Sequence, residues 1–272
     1  MPANEKSRPY PAGSERPRIE TMNRRLVLRL AAAAAVICAA PSFAGDVLKP
    51  RGVVELFTSQ GCSSCPPADA ALAELAEKGE VVALGYHVDY WDYLGWKDTL
   101  ASPENTERQK LYGKAFGKRE VYTPQAVING RAHVNGAKRD AVSWAITEME
   151  NKGDGLSIEI GVTRAGDSVV IDAAAAPGGK GTAHLVLVHF DRLKPVTIKR
   201  GENKGQTIAY ANPVTSVQTA GMWHGKAARF ELPRSEVNKN GGCAILLQSV
   251  SEDGVPGPIL GAAVVPPEAE TP

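Results

Sequence analysis

Val53-Val54-Glu55-Leu56-Phe57-Thr58-Ser59-Gln60-Gly61-Cys62-Ser63-Ser64-Cys65-Pro66-Pro67-Ala68-Asp69 is the stretch on which the reading of this chain turns. The apolar run Val53 to Phe57 predicts a strand. Thr58 to Gly61 is polar and ends in glycine, as a loop does. Pro66 and Pro67 open a helix, where a missing N–H costs little because the first-turn donors have no helical partner. Ala68, Ala71, Leu72 and Leu75 recur at helical spacing and form one apolar face. Asp69 suits the positive end of the helix dipole, and Lys78-Gly79 suits its end. The nearly continuous apolar run Val81 to Val88 predicts a strand buried on both faces. Strand, helix and strand within about 36 residues make a βαβ unit with parallel strands.

Further along, Ser102 and Pro103 predict the cap and first turn of a helix running to about Gly117. Gln125 to Ile128 is a strand, Asn129-Gly130 a two-residue turn, and Arg131 to Val134 the returning strand. Asp140 to Met149 is a helix. Near Gly153-Asp154-Gly155 the composition changes and helical periodicity ends. Short strand-like runs follow at Leu156–Val162, Val169–Ala173, His184–Phe190, Val196–Lys199, Thr207–Tyr210, Ala227–Leu232, Ala244–Val250 and Ile259–Val264, which suggests a β-sandwich. The expected class is α/β: a thioredoxin-like N-terminal domain over 45–152, followed by an all-β sandwich-like C-terminal domain over 153–272.

Residues 1–44 read as an export signal with a polar N-terminal extension. Arg24, Arg25 and Arg29 precede the apolar run Leu30 to Ala40, and Ser42-Phe43-Ala44 places small residues where a signal peptidase reads them. The run is short of the roughly 20 residues that span a bilayer, so the expectation is cleavage after Ala44, no stable membrane insertion thereafter, and a periplasmic or secreted protein. The chain has 272 residues, 43% apolar and 22% charged, with a net charge of +1; that balance gives no electrostatic footprint for nucleic acid.

The chemistry concentrates at Cys62 and Cys65. A cysteine just before a helix sees free N–H groups and a dipole that favour the thiolate, the nucleophile of disulfide exchange. Cys65, three residues on, is placed to resolve a mixed disulfide. An inert structural disulfide, or two reduced thiols, is the alternative. In Tyr122-Thr123-Pro124-Gln125, a Thr-Pro pair directly before a strand and an Asn-Gly hairpin suits a cis proline, with Thr123 offering a backbone edge to an extended substrate; the alternative is a trans proline at a strand start. Glu55 shares a strand face with Val53 and Phe57, so it reads either as a buried acid able to move protons for Cys65 or as an edge glutamate reaching solvent. Tyr90, Trp91, Tyr93 and Trp96 form either a substrate rim or a small aromatic core. His87 and His189 read as core histidines, and Cys243 as a buried small hydrophobe.

Cys62-Ser63-Ser64-Cys65 resembles the active-site motif of the thioredoxin superfamily, and Thr123-Pro124-Gln125-Ala126-Val127-Ile128-Asn129-Gly130 the corresponding glutaredoxin segment. Val54 to Asp69, Tyr86-His87-Val88-Asp89-Tyr90-Trp91-Asp92 and Tyr122 to Gln125 together resemble a family of secreted bacterial proteins of unknown function with a thioredoxin-like N-terminal part. The resemblance implies redox chemistry and names no substrate. The expected catalytic residues are therefore Cys62, Cys65, Pro124 and Glu55, with Thr123, Tyr122 and Trp91 against the substrate, no cofactor, no metal, and protein or small-molecule thiols and disulfides as partners. Two rival readings are a soft-metal protein handling copper, with His87 joining the thiolates, and a non-catalytic thioredoxin-fold binding module.

Overall fold

The computed structural model describes residues 49–239 and 241–265; the expected export signal lies outside them. The first sheet has the order β2-β1-β3-β4, built from β1 (Val53–Thr58), β2 (Val82–His87), β3 (Gln125–Ile128) and β4 (Ala132–Asn135). β1 and β2 are parallel, and the other two pairings are antiparallel. Helix α1 (Pro66–Lys78) links the parallel pair and stops at Gly79 in the left-handed conformation, so the chain turns there at little steric cost. Helix α2 (Pro103–Ala115) begins where Ser102 accepts from the Asn105 N–H with its side chain, a cap that satisfies one of the first-turn donors. Helix α3 (Arg139–Lys152) follows β4.

Asn129 and Gly130, both at positive φ (50° and 62°), make the tight turn between β3 and β4. Gly130 is required twice over, since a Cβ there would fall 2.3 Å from the Gly257 carbonyl oxygen. The Asn129 side chain accepts from the Val53 N–H at 2.7 Å, tying this turn to the start of β1.

Beyond α3 the chain is nearly all strand. β7 (Ala183–Phe190), β10 (Val214–Trp223), β12 (Gly242–Val250) and β13 (Pro256–Val264) form a sheet ordered β10-β7-β12-β13. β5 (Ile160–Ala165), β6 (Ser168–Ala173) and β11 (Ala228–Pro233) form a second, ordered β11-β6-β5. β8 (Leu193–Thr197) and β9 (Thr207–Ala211) pair only with each other.

Alternation along each strand sorts the apolar side chains into three cores. Val54, Leu56, Ala126 and Ile128 point to one face of the first sheet and pack on Ala68 and Leu72 of α1 and Val142, Ile146 and Met149 of α3. Val53, Phe57, Leu84, Tyr86 and Val127 point to the other face and pack on Val186, Val188, Leu246 and Ile259. Leu185, Leu187, Ile245 and Leu247, on the far side of those same strands, pack on Ile160, Val169 and Ile171. The layers thus run α1 and α3, sheet, sheet, sheet, with α2 packed beside the middle sheet against the first, and the middle strands are buried on both sides.

This corrects the expected class. The described residues are mostly β, with four small sheets and few helices, rather than an α/β thioredoxin-like domain followed by an all-β sandwich-like domain. The physical reason is the covering of the first sheet. An α/β layer places helices on both faces; here one face is covered mainly by β7, β12 and β13, with α2 contributing Tyr112 beside them. The described part of residues 46–272 packs as one unit.

Candidate functional site

The two cysteines lie where β1 hands over to α1. Cys62 N–H donates to the Ser59 carbonyl, Cys65 N–H to the Cys62 carbonyl, and Ala68 and Asp69 N–H groups to the Cys65 carbonyl at 2.8 and 3.1 Å, so the helix starts at Cys65 itself. A disulfide joins Cys62 and Cys65. Ser63 and Ser64 are exposed between them, with Ser64 Oγ 3.4 Å from Cys62 Sγ. Cys62 is only 1% exposed and Cys65 not at all. The Cys-x-x-Cys turn therefore presents its serines, not its sulfurs, to solvent.

The Thr123–Pro124 peptide is cis. β3 pairs antiparallel with β1, Gln125 facing Phe57, which carries Pro124 past the end of β1 on the cysteine side. Trp91 bridges the two segments: its Nε1–H donates to Thr123 Oγ1 at 2.8 Å, and its Cβ would stand 3.1 Å from a Cβ added at Gly61. A side chain at Gly61 would crowd Trp91 at this point beside Cys62. Tyr122 is partly exposed, its hydroxyl 3.0 Å from His133 Nδ1. Cys62, Cys65, Trp91, Thr123 and Pro124 are thus neighbours, with Tyr122 at the edge.

Glu55 sits on the other side of β1. It is fully buried, its Oε1 accepting from Arg108 Nε at 2.8 Å and Nη2 at 2.7 Å, its Oε2 from the Tyr112 hydroxyl. Arg108 also donates to Gln248 Oε1 at 2.9 Å and lies over the Tyr86 and Tyr112 rings. Strand β1, helix α2 and strand β12 are clasped by this network. Burial alone would lower the Arg108 pKa, but the Glu55 carboxylate holds it well above its ordinary value.

Asp69 lies one helical turn after Cys65. It is buried; Oδ1 accepts from Thr58 Oγ1 at 2.7 Å, and Oδ2 has no hydrogen-bond partner. Burial pushes its carboxyl up to about 7, against the pull of His87 and Thr58. The helix-dipole reading of Asp69 missed this. The signal was available, since Asp69 stands three residues before Leu72 and next to Ala68 on the inward stripe.

Asp98 was also overlooked. Burial pushes its carboxyl up, yet it ends below its ordinary range, because the His87 ring and the N–H groups of Gln60 and Leu100 surround it. His87 Nδ1 lies 2.9 Å from Asp98 Oδ2, and the Gln60 N–H donates to the same oxygen at 2.7 Å. Asp89 and Asp92 accept from Thr106 Oγ1 and the Asp98 N–H respectively. His189 is buried, bonded to Ser216 Oγ and the Glu236 carbonyl, and Cys243 is buried with its thiol pushed up to about 12 by burial. Among the described residues no group of three or more His, Cys, Asp and Glu side chains is gathered as a metal would need.

The chain is similar to a solved protein from Agrobacterium tumefaciens, AGR_C_4864, at 45% identity over 82% of this chain and 98% of that one, with a TM-score of 0.74. A more distant likeness, to HBP35 of Porphyromonas gingivalis, is 14% identical over 80% of this chain and 75% of that one, with a TM-score of 0.56, and bears on the fold alone. None of the curated proteins matches the chain. Residues 53–248 match the model of a family described as protein of unknown function DUF1223, and this stretch takes in the cysteine turn, the cis proline and most of the β layers. The chain belongs to that DUF1223 family.

Proposed function

We propose that the protein is a thiol–disulfide oxidoreductase working through Cys62 and Cys65 outside the cytoplasm. The observation that carries this reading is the disulfide at the first turn of α1, with the cis Thr123–Pro124 edge fixed beside it by Trp91. The likeness of these two segments to the thioredoxin superfamily's motifs supports it. The basic-apolar-small pattern of residues 24–44 supports export, into compartments where disulfides persist.

The exchange balances as follows. An external thiolate attacks Cys62 Sγ, the Cys62–Cys65 bond breaks, and its electron pair leaves on Cys65 as a thiolate stabilised by the helix start. Asp69, one helical turn after Cys65 and with its carboxyl pushed up to about 7 by burial, is the group this reading assigns as proton donor to that thiolate. A second external thiolate attacks the mixed disulfide, freeing Cys62 and forming the external disulfide. Two thiols and one protein disulfide become two protein thiols and one external disulfide; the reverse runs through the same atoms.

The test is a titration of native protein against graded ratios of reduced to oxidised dithiothreitol, with thiols counted by alkylation and mass. The reading predicts that Cys62 and Cys65 appear together at one ratio while Cys243 stays unlabelled. A pair that reduces only after denaturant is added would make it a structural staple.

A further inference from the structure

The turn between β8 and β9 is not used by the mechanism above, yet it lies on the cysteine loop. Asn203 is 2% exposed, and its Nδ2 donates to the Gln60 carbonyl at 3.0 Å and the Cys62 carbonyl at 2.9 Å. Beside it, Gly201 packs on Trp96, whose Nε1–H donates to the Gln60 side chain at 2.8 Å. The hairpin is anchored behind this turn: Asn212 donates to the Ala83 carbonyl at 2.8 Å and accepts from the Gly85 N–H, and Tyr210 is buried against His87. So β8 and β9, which pair with no other strand, form a clasp reaching from the second half of the chain to the residue that must be attacked.

The same turn is charged on its outer side. Lys199, Arg200 and Lys204 of this turn are exposed and form no ion pair with a carboxylate among the described residues, against Glu202 alone of opposite sign within the turn. A cluster of one sign near a site raises the local concentration of the opposite charge.

We propose that this turn makes the site selective for small anionic thiols and their disulfides: Asn203 holds it across Cys62, and Lys199, Arg200 and Lys204 gather the anion. The proposal rests on the exchange reading above. Local loosening of two amide–carbonyl bonds admits a slender thiol, as loops open more readily than cores. Admitting a folded protein requires lifting the hairpin off its anchors at Ala83, Gly85 and His87.

The experiment follows reduction of the Cys62–Cys65 disulfide in the whole protein by mercaptosuccinate, 2-mercaptoethanol and cysteamine, each rate expressed per thiolate, and by reduced thioredoxin. At low salt the order expected is anionic, neutral, cationic, with about tenfold between the extremes, shrinking as salt screens it, and thioredoxin slower than all three. Reversing two exposed charges, Arg200→Glu with Lys204→Glu, should invert the order; Asn203→Ala should raise the thioredoxin rate. The paired charge variant touches no buried side chain, so it keeps the test alive if Asn203→Ala fails to fold. Rates that ignore the thiol's charge, or thioredoxin reacting faster than mercaptosuccinate, overturn the proposal while leaving exchange intact. If no thiol reduces the native pair, the exchange reading itself falls.

Discussion

Replacing Asp69 with asparagine isolates the buried carboxyl beside the cysteines. In the folded protein its pKa is pushed from 3.8 up to about 7, first by burial; in the unfolded chain it returns to about 3.9. A raised value means the fold favours the protonated form. The contribution is therefore fully present below about pH 4, is lost as the pH rises toward 7, and stays lost above it. At ~1.36 kcal/mol per pH unit the interval is worth about 4 kcal/mol at most. Asp69→Asn keeps a side-chain oxygen for the Thr58 hydroxyl and never ionises. Any fixed cost of its amide is the same at every pH, so the informative quantity is how the stability difference changes with pH. Urea unfolding of the oxidised protein, followed by tryptophan fluorescence between about pH 4.5 and pH 8, should show wild type losing about 2–4 kcal/mol relative to Asp69→Asn. A difference that stays flat within about 1 kcal/mol across that range would refute a buried, protonated Asp69.

Three further outcomes are expected. Arg108→Met leaves Glu55 buried without its cation and should cost about 3–5 kcal/mol in urea unfolding; a loss below about 1 kcal/mol would mean that Tyr112 alone satisfies the carboxylate. Gly130→Ala puts a methyl group into the Gly257 carbonyl at a left-handed position and should lower stability by about 1–3 kcal/mol, with an unchanged melting curve as the contrary result. In the reduced native protein, iodoacetamide should label Cys62 well before Cys243, whose thiol is pushed up to about 12; equal rates would count against a thiolate at the helix start.

Local signals in this sequence translated directly into elements. Pro66 and Gly79 bound α1, Ser102 and Pro103 open α2, and Asn129-Gly130 makes the β3–β4 turn, because caps and turns depend on residues a few positions apart. β10 escaped notice: Val214 to Trp223 mixes polar, small and apolar residues, and its exposed, twice-bulged edge has no alternation to read. The class was misjudged because one βαβ unit says nothing about what covers the other face of its sheet, and that cover comes from strands more than 100 residues away. The site shows the same division. Cys62, Cys65, Thr123 and Pro124 are visible as short motifs. Asn203 is not, since its bonds to Gln60 and Cys62 span more than 140 residues. Glu55 reads from the sequence as either a buried acid or an edge glutamate; the fold buries it, and its partners Arg108 and Tyr112 both arrive from α2 and occupy its carboxylate.

The central claim is that Cys62 and Cys65 exchange disulfides in the folded protein, with Cys62 attacked and Cys65 leaving. The most direct measurement uses Cys65→Ala, which removes the resolving sulfur, incubated with a small disulfide such as oxidised 2-mercaptoethanol and analysed by intact mass and peptide mapping. The account predicts one adduct, on Cys62, accumulating in native conditions and absent from the Cys62→Ala protein. If native Cys65→Ala gains no adduct, or gains it on Cys243, the pair is a structural disulfide and the oxidoreductase assignment is wrong.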